Sequence, residues 1–155
     1  MAGYMATTVV ALSVAGAALL APWLASRGSG LAAGLYHSYA QICQQNPSRC
    51  FGLFGHPVAA CGRCLGIYIG FLAGCLVYPL ARSLFSARVP RPRMFVLLSL
   101  PLGLDVLANM LHFWDFGNWF RFSTGVVWGF ILPFYFLAGL TDLIVRRLAF
   151  RRPTT

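Results

Sequence analysis

Cys61-Gly62-Arg63-Cys64 sets two thiols three positions apart with a guanidinium between them. That spacing is a half-site for a tetrahedral metal ion and also the spacing of redox-active thiol pairs. Two more thiols, Cys43 and Cys50, stand upstream. Together Cys43, Cys50, Cys61 and Cys64 can enclose a zinc-like ion. The same four can instead work as a thiol–disulfide oxidoreductase, with Cys61/Cys64 reacting at a membrane quinone and Cys43/Cys50 as relay, or rest as structural disulfides. The start of a helix and Arg63 both favour the thiolate form of the Cys61/Cys64 pair. The fifth cysteine, Cys75, lies inside an apolar run and reads as a small core residue.

A second constellation lies downstream. Asp105, Asn109 and His112 fall at i, i+4 and i+7, one face of a helix. A carboxylate inside an apolar helix is costly unless paired, and it marks a functional site by default. Arg63 and Arg121 are the available partners. The expected site is a polar pocket beneath the cysteines. Asp105, His112, Arg63 and Arg121 are its candidates for chemistry, and Arg49, Arg63 and Arg121 are placed to hold a lipid headgroup or a quinone. His37 and His56 read as interfacial, with His56 a spare ligand.

Several classes are excluded. The chain has no glutamate, so His-Glu-x-x-His is impossible, and Leu65 after Cys64 rules out c-type haem attachment. No phosphate-binding or dinucleotide loop is present.

These residues need elements to hold them. The chain is 59% hydrophobic and 10% charged, where soluble domains carry about 25% charged residues. Four windows, residues 5–24, 58–81, 94–113 and 122–145, are apolar enough to cross a bilayer. The first lacks the basic start and small-residue cleavage site of a signal peptide and reads as a span. All twelve basic residues are arginine. They collect at the ends of the apolar runs, as orientation signals do, rather than forming a nucleic-acid face. Arg82, Arg88, Arg91 and Arg93 between the second and third windows, and Arg146, Arg147, Arg151 and Arg152 after the fourth, outweigh Arg27, Arg49 and Arg63. Both termini are then cytoplasmic, and the cysteines face the extracytoplasmic side of the cell membrane.

Residues 27–57 form an outer cap. Leu31, Leu35, Tyr39 and Ile42 recur at helical spacing, so an interfacial amphipathic helix is expected there, followed by an apolar loop from Phe51 to Gly55 that plugs back toward the bundle. Gly62, Gly66, Gly70 and Gly74 on the second span, and Gly125 and Gly129 on the fourth, are grooves for close helix approach. Spans two and four are expected to pack through them. The same Gly-x-x-x-Gly faces could instead serve a homodimer or a membrane-complex partner.

The blocks Cys43-Gln44-Gln45-Asn46-Pro47-Ser48-Arg49 and Cys61-Gly62-Arg63-Cys64-Leu65-Gly66-Ile67-Tyr68-Ile69-Gly70, with Asp105 and Arg121-Phe122-Ser123-Thr124-Gly125, resemble a family of small prokaryotic membrane proteins known as a domain of unknown function. The resemblance covers about residues 43–129. The family pattern Cys-His-Gln-x-Pro-x-Arg-Ser has a histidine where this chain has Gln44 and a serine where it has Cys50. The resemblance therefore implies a Cys₃His site exchanged for a Cys₄ site, and it implies no activity. In outline the layout is also similar to four-helix disulfide-generating oxidoreductases and vitamin K epoxide reductases, by architecture alone. The expected whole is an all-α, polytopic membrane protein of one unit. It has four transmembrane helices, a helix-and-loop cap, and a four-cysteine metal site over a polar pocket.

Overall fold

A computed structural model of the protein describes residues 2–81, 92–111 and 117–150. Among them the chain forms α1 (Ala2–Ser26), α2 (Gly30–Ala40), a 3₁₀ turn (Pro47–Arg49), β1 (Cys50–Leu53), β2 (His56–Cys61), α3 (Gly62–Ala81), α4 (Pro92–Met110) and α5 (Gly117–Phe150). Helices α1, α3, α4 and α5 are long and apolar enough to cross a membrane. They alternate in direction, so the end of α1, the starts of α3 and α5 and the end of α4 gather at one end with α2 and the strands.

Helix α1 is apolar all round, but its inner stripe is made of small residues. Ala11, Ala15, Ala18 and Ala21 are all buried. Gly28, at φ +66, closes the helix in the left-handed conformation that glycine adopts freely. Ser29 then caps α2, accepting from Leu31 N at 3.4 Å. On α2 the inward face holds Ala32, Leu35, Tyr36 and Tyr39, whereas Leu31 and, just beyond the helix, Ile42 are exposed. The expected interfacial helix is therefore present, rotated so that tyrosines rather than every leucine face the core.

The cap differs from expectation in one respect. Residues 58–61 are the end of a strand, and the second span begins at Gly62. The stretch read as an apolar loop is an antiparallel hairpin that pairs Leu53 with His56 and Cys50 with Cys61. Its turn residues Phe54 and Gly55 both take positive φ, +52 and +78, as a two-residue type I′ turn requires. Between the pairs Cys50–Cys61 and Gly52–Pro57, Phe51 alone faces Val58, Ala59 and Ala60, so β2 bulges. The bulge drives these three side chains against Ala18 and Ala21 of α1, where they are at most 1% exposed. Phe51 does plug back to the bundle: its ring lies 5.1 Å from Trp119 and 5.7 Å from Phe122.

A strand packed among spanning helices must have its backbone groups met from within the protein. Side chains of the cap meet them. Gln45 Nε2 donates to Ala59 O at 2.7 Å and to Tyr36 O at 2.8 Å. Tyr36 OH donates to Pro57 O at 2.5 Å, and Tyr39 OH donates to Val14 O of α1 at 2.5 Å. Gln45→Ala is expected to remove the side-chain donor of Ala59 O in the bulged strand, at about 1–3 kcal/mol. The thermal midpoint of detergent-solubilised protein should fall by several degrees relative to Gln44→Ala. An unchanged midpoint would mean that these bonds do not hold the hairpin.

Helices α3 and α5 run parallel and touch backbone to backbone. A Cβ placed on Gly66, Gly70 or Gly74 would lie 2.3–2.4 Å from the carbonyl oxygens of Phe122, Val126 and Phe130. From the other side, one on Gly125 or Gly129 would meet Arg63 O or Ile67 O at the same range. The two glycine faces thus meet each other within one chain. Helix α4 joins from the side: Trp128 Nε1 donates to Ser99 Oγ at 2.9 Å, and Phe95 packs on Trp128 and Tyr135. Its other face, including Leu97, Leu100, Leu104 and Leu107, is open to the bilayer. Cys75 is fully buried in α3, with its carbonyl accepting from Tyr4 OH at 3.2 Å.

Candidate functional site

Three elements converge beneath the cap. The loop after α2 delivers Cys43, the last residue of β2 is Cys61, and the first turn of α3 carries Cys64. Their three sulfurs all lie within 4.8 Å of one another. Cys61 N, at the start of α3, donates to Cys43 Sγ at 3.2 Å. Hydrogen bonds from the Cys61 thiol, then from Cys64, hold Cys43 far below the usual thiol range. Cys43 is thus the preferred thiolate of the group.

Cys50, expected as the fourth ligand, is not in that group. The ladder pairs its Cα with that of Cys61, and it is buried at 7% exposure, but the thiol that closes on Cys61 and Cys64 is Cys43. Burial, then the negative charge of Cys43 and Cys61, pushes Cys50 up to about 11. It stays a thiol where Cys43 is a thiolate. His56 also lies outside the group, and His37 is exposed.

Arg63 reaches the other way. Its Nε donates to Asp105 Oδ2 at 2.8 Å, and its Nη2 bonds the same oxygen. Asp105 is 2% exposed. The pair ties the start of α3 to α4, so of the two cations proposed for Asp105 it is Arg63 that holds it. Arg121 is 3% exposed and sits on the second turn of α5, because the helix starts at Gly117 and not at Phe122. Its Nη1 faces Asn118 Oδ1 at 3.5 Å, and Asn118 Nδ2 donates to Ser48 O at 3.2 Å, which ties α5 to the cap. Thr124 is buried one turn on, donating to Arg121 O at 3.0 Å. His112 lies outside the described residues.

A cavity of about 440 Å³ opens among these groups. Cys43, Cys61 and Cys64 line it together with Arg49 of the cap, Arg63 of α3 and Arg121 of α5. Gln44, Asn46 and Asn109 add neutral polar groups, and Ile42, Val106 and Met110 add an apolar side. Of the residues expected around a polar pocket, Arg49, Arg63 and Arg121 line this cavity, while Asp105 is absent from its lining and paired with Arg63. Sequence reasoning did not single out Val106 and Met110. Their signal was available, since they flank Asp105 and Asn109 with the same four-residue step.

Four long apolar helices capped at one end by a thiol cluster define a polytopic helical membrane protein. The chain belongs to the family described as Predicted membrane protein (DUF2085), whose model matches residues 43–135. The matched region holds all the cysteines and arginines of the site. An uncharacterised protein of Methanocaldococcus jannaschii is 34% identical over 113 residues, covering 73% of this chain and 72% of the relative. An uncharacterised protein of Methanothermobacter thermautotrophicus is 31% identical over 88 residues, covering 57% of this chain and 78% of the relative. No solved structure matches the chain.

Proposed function

We propose that Cys43, Cys61 and Cys64 hold one zinc-like ion on the extracytoplasmic side of the cell membrane, and that the ion faces a ligand chamber in the outer half of the bundle. The observation that carries this reading is the convergence of three sulfurs within 4.8 Å. In a tetrahedral shell with Zn–S of about 2.3 Å, sulfurs stand about 3.8 Å apart, so small side-chain adjustments close the site. Three ligands among the described residues leave a fourth position for water or a ligand, the pattern of reactive rather than purely structural zinc. The orientation rests on the sequence, in which arginines collect between the second and third apolar windows and after the fourth. The ion also pins the cap, because it joins the α2 loop, the hairpin and α3.

The test is metal analysis of detergent-purified protein, with alkylation of the same sample. One ion per chain is expected. Cys43, Cys61 and Cys64 should resist alkylation until a chelator is added. Cys43→Ser, Cys61→Ser and Cys64→Ser should each lose the ion, while Cys50→Ser and Cys75→Ser keep it. Metal-free protein with Cys61 and Cys64 joined in a disulfide would overturn the reading and favour a thiol–disulfide oxidoreductase, to be followed by quinone-reduction assays.

A further inference from the structure

We infer that the 440 Å³ cavity is a receptor for the phosphate-class head of a membrane amphiphile. The first argument is charge. Among the described residues Arg49, Arg63 and Arg121 line the cavity and no carboxylate does; Asp105 lies outside the lining, paired with Arg63. The inference rests on the proposed metal reading to this extent, since Cys43, Cys61 and Cys64 line the same cavity.

The second argument is geometry. The three arginines come from separate elements, the 3₁₀ turn, α3 and α5, and line one space. A guanidinium presents a planar fork of donors that matches oxyanions. A carboxylate offers two oxygens, whereas a phosphate head offers enough for several forks and for a metal's open position. Asn46, Asn109 and Gln44 supply neutral polar groups around the same space.

The third argument is the apolar part of the lining. Ile42, Val106 and Met110 belong to it, and Ile42 and Met110 are 65% and 73% exposed. Met110 continues the bilayer-facing surface of α4, formed by Leu100, Leu104 and Leu107. A head held by the arginines can therefore extend an apolar tail past Met110 and along α4. A soluble phosphate would use the same arginines but leave these apolar residues idle.

Binding to the full-length, metal-loaded protein in detergent distinguishes the sources. The probes are dioctanoyl phosphatidic acid, inorganic phosphate and dioctanoylglycerol, which has the same tails without the phosphate. Saturable binding of the phosphatidic acid is expected. Dioctanoylglycerol should not compete, and inorganic phosphate should compete only at a much higher concentration. Equal potency of inorganic phosphate would keep the oxyanion site but assign it to a soluble ligand, overturning the amphiphile. Arg49→Gln should weaken phosphatidic acid binding roughly tenfold, the worth of one charge-assisted contact, with metal content unchanged. Arg93→Gln on α4, outside the cavity, should have no effect. Retained metal with no saturable binding, equal binding of dioctanoylglycerol, or full affinity in Arg49→Gln would overturn this inference and leave the metal reading standing. Loss of metal with binding intact would overturn the metal reading instead.

Discussion

Gly70→Ala is expected to part α3 from α5 and to lose most of the folded protein, although it adds a single carbon. That carbon would lie 2.3 Å from Val126 O, 2.9 Å from Val126 Cα and 3.0 Å from Phe130 N. All three are backbone atoms, so no rotamer change relieves the clash. Overpacking that side chains can absorb costs about 1–3 kcal/mol, and here the two helices must separate, so the cost should reach or exceed the top of that range. Gly66→Ala meets Phe122 O at the same 2.3 Å and should behave alike. Gly103→Ala and Gly139→Ala are the controls, because nothing lies within 4 Å of their added carbons. Those two should be neutral, or gain up to about 1 kcal/mol of helix propensity. Resistance to denaturant, followed by loss of helicity in mixed detergent, measures the difference. Equal stability across both sets would show that α3 and α5 do not pack through these glycines. The effect should also reach the site, since Arg63 O sits against Gly125. A helix that moves there carries Arg63 and Cys64 with it.

The second large effect is expected from Asp105→Asn. Asp105 is 2% exposed, and the substitution leaves Arg63 with a weak neutral acceptor in a water-poor interior. Breaking a buried ion pair by removing one partner costs about 3–5 kcal/mol. Arg63 is 22% exposed toward the cavity, which places the expectation at the lower end, about 3 kcal/mol. Replacing both partners with apolar residues of similar volume avoids the orphan charge. Arg63→Met with Asp105→Leu should therefore regain most of the stability that Asp105→Asn loses. A double variant no more stable than the single one would show that the pair does more than neutralise charge. Because α4 otherwise joins the bundle mainly along α5, Asp105→Asn should also loosen α4, seen as faster hydrogen exchange around Asn109 and Met110.

Much of this arrangement was legible in the residues because each signal had one cheap physical solution. An apolar run of about 20 residues has few options other than a span. Glycines every fourth residue on two spans could be filled by each other without another partner. Asp105 needed a cation, and Arg63 was one of two within reach. The hairpin was not legible for an equally physical reason. Val58, Ala59 and Ala60 continue the apolar run of α3, and periodicity cannot separate a buried strand from a buried helix over so few residues. Only Gly52, Gly55 and Pro57 hinted at a turn and strand there. The same stretch bears on the site. The sequence pairs Cys61 with Cys64 as one half-site and Cys43 with Cys50 as the other. The strand instead sets Cys50 beside the backbone of Cys61 and leaves its sulfur out of the cluster. Gln45 was invisible for a related reason: its task is to satisfy carbonyls of a strand that the pattern did not reveal. The start of α5 at Gly117 moved Arg121 from the lip of a helix to its second turn, where burial at 3% exposure gives it a place in the cavity wall.

The most direct measurement is X-ray absorption at the metal edge of protein purified in detergent without added metal. Three sulfur scatterers at about 2.3 Å with one lighter oxygen or nitrogen neighbour are expected, from Cys43, Cys61 and Cys64 with an open fourth position. Four sulfurs would bring Cys50 into the shell and contradict an open site. A sample with no bound metal, or a shell without sulfur, would contradict the thiol-held ion itself.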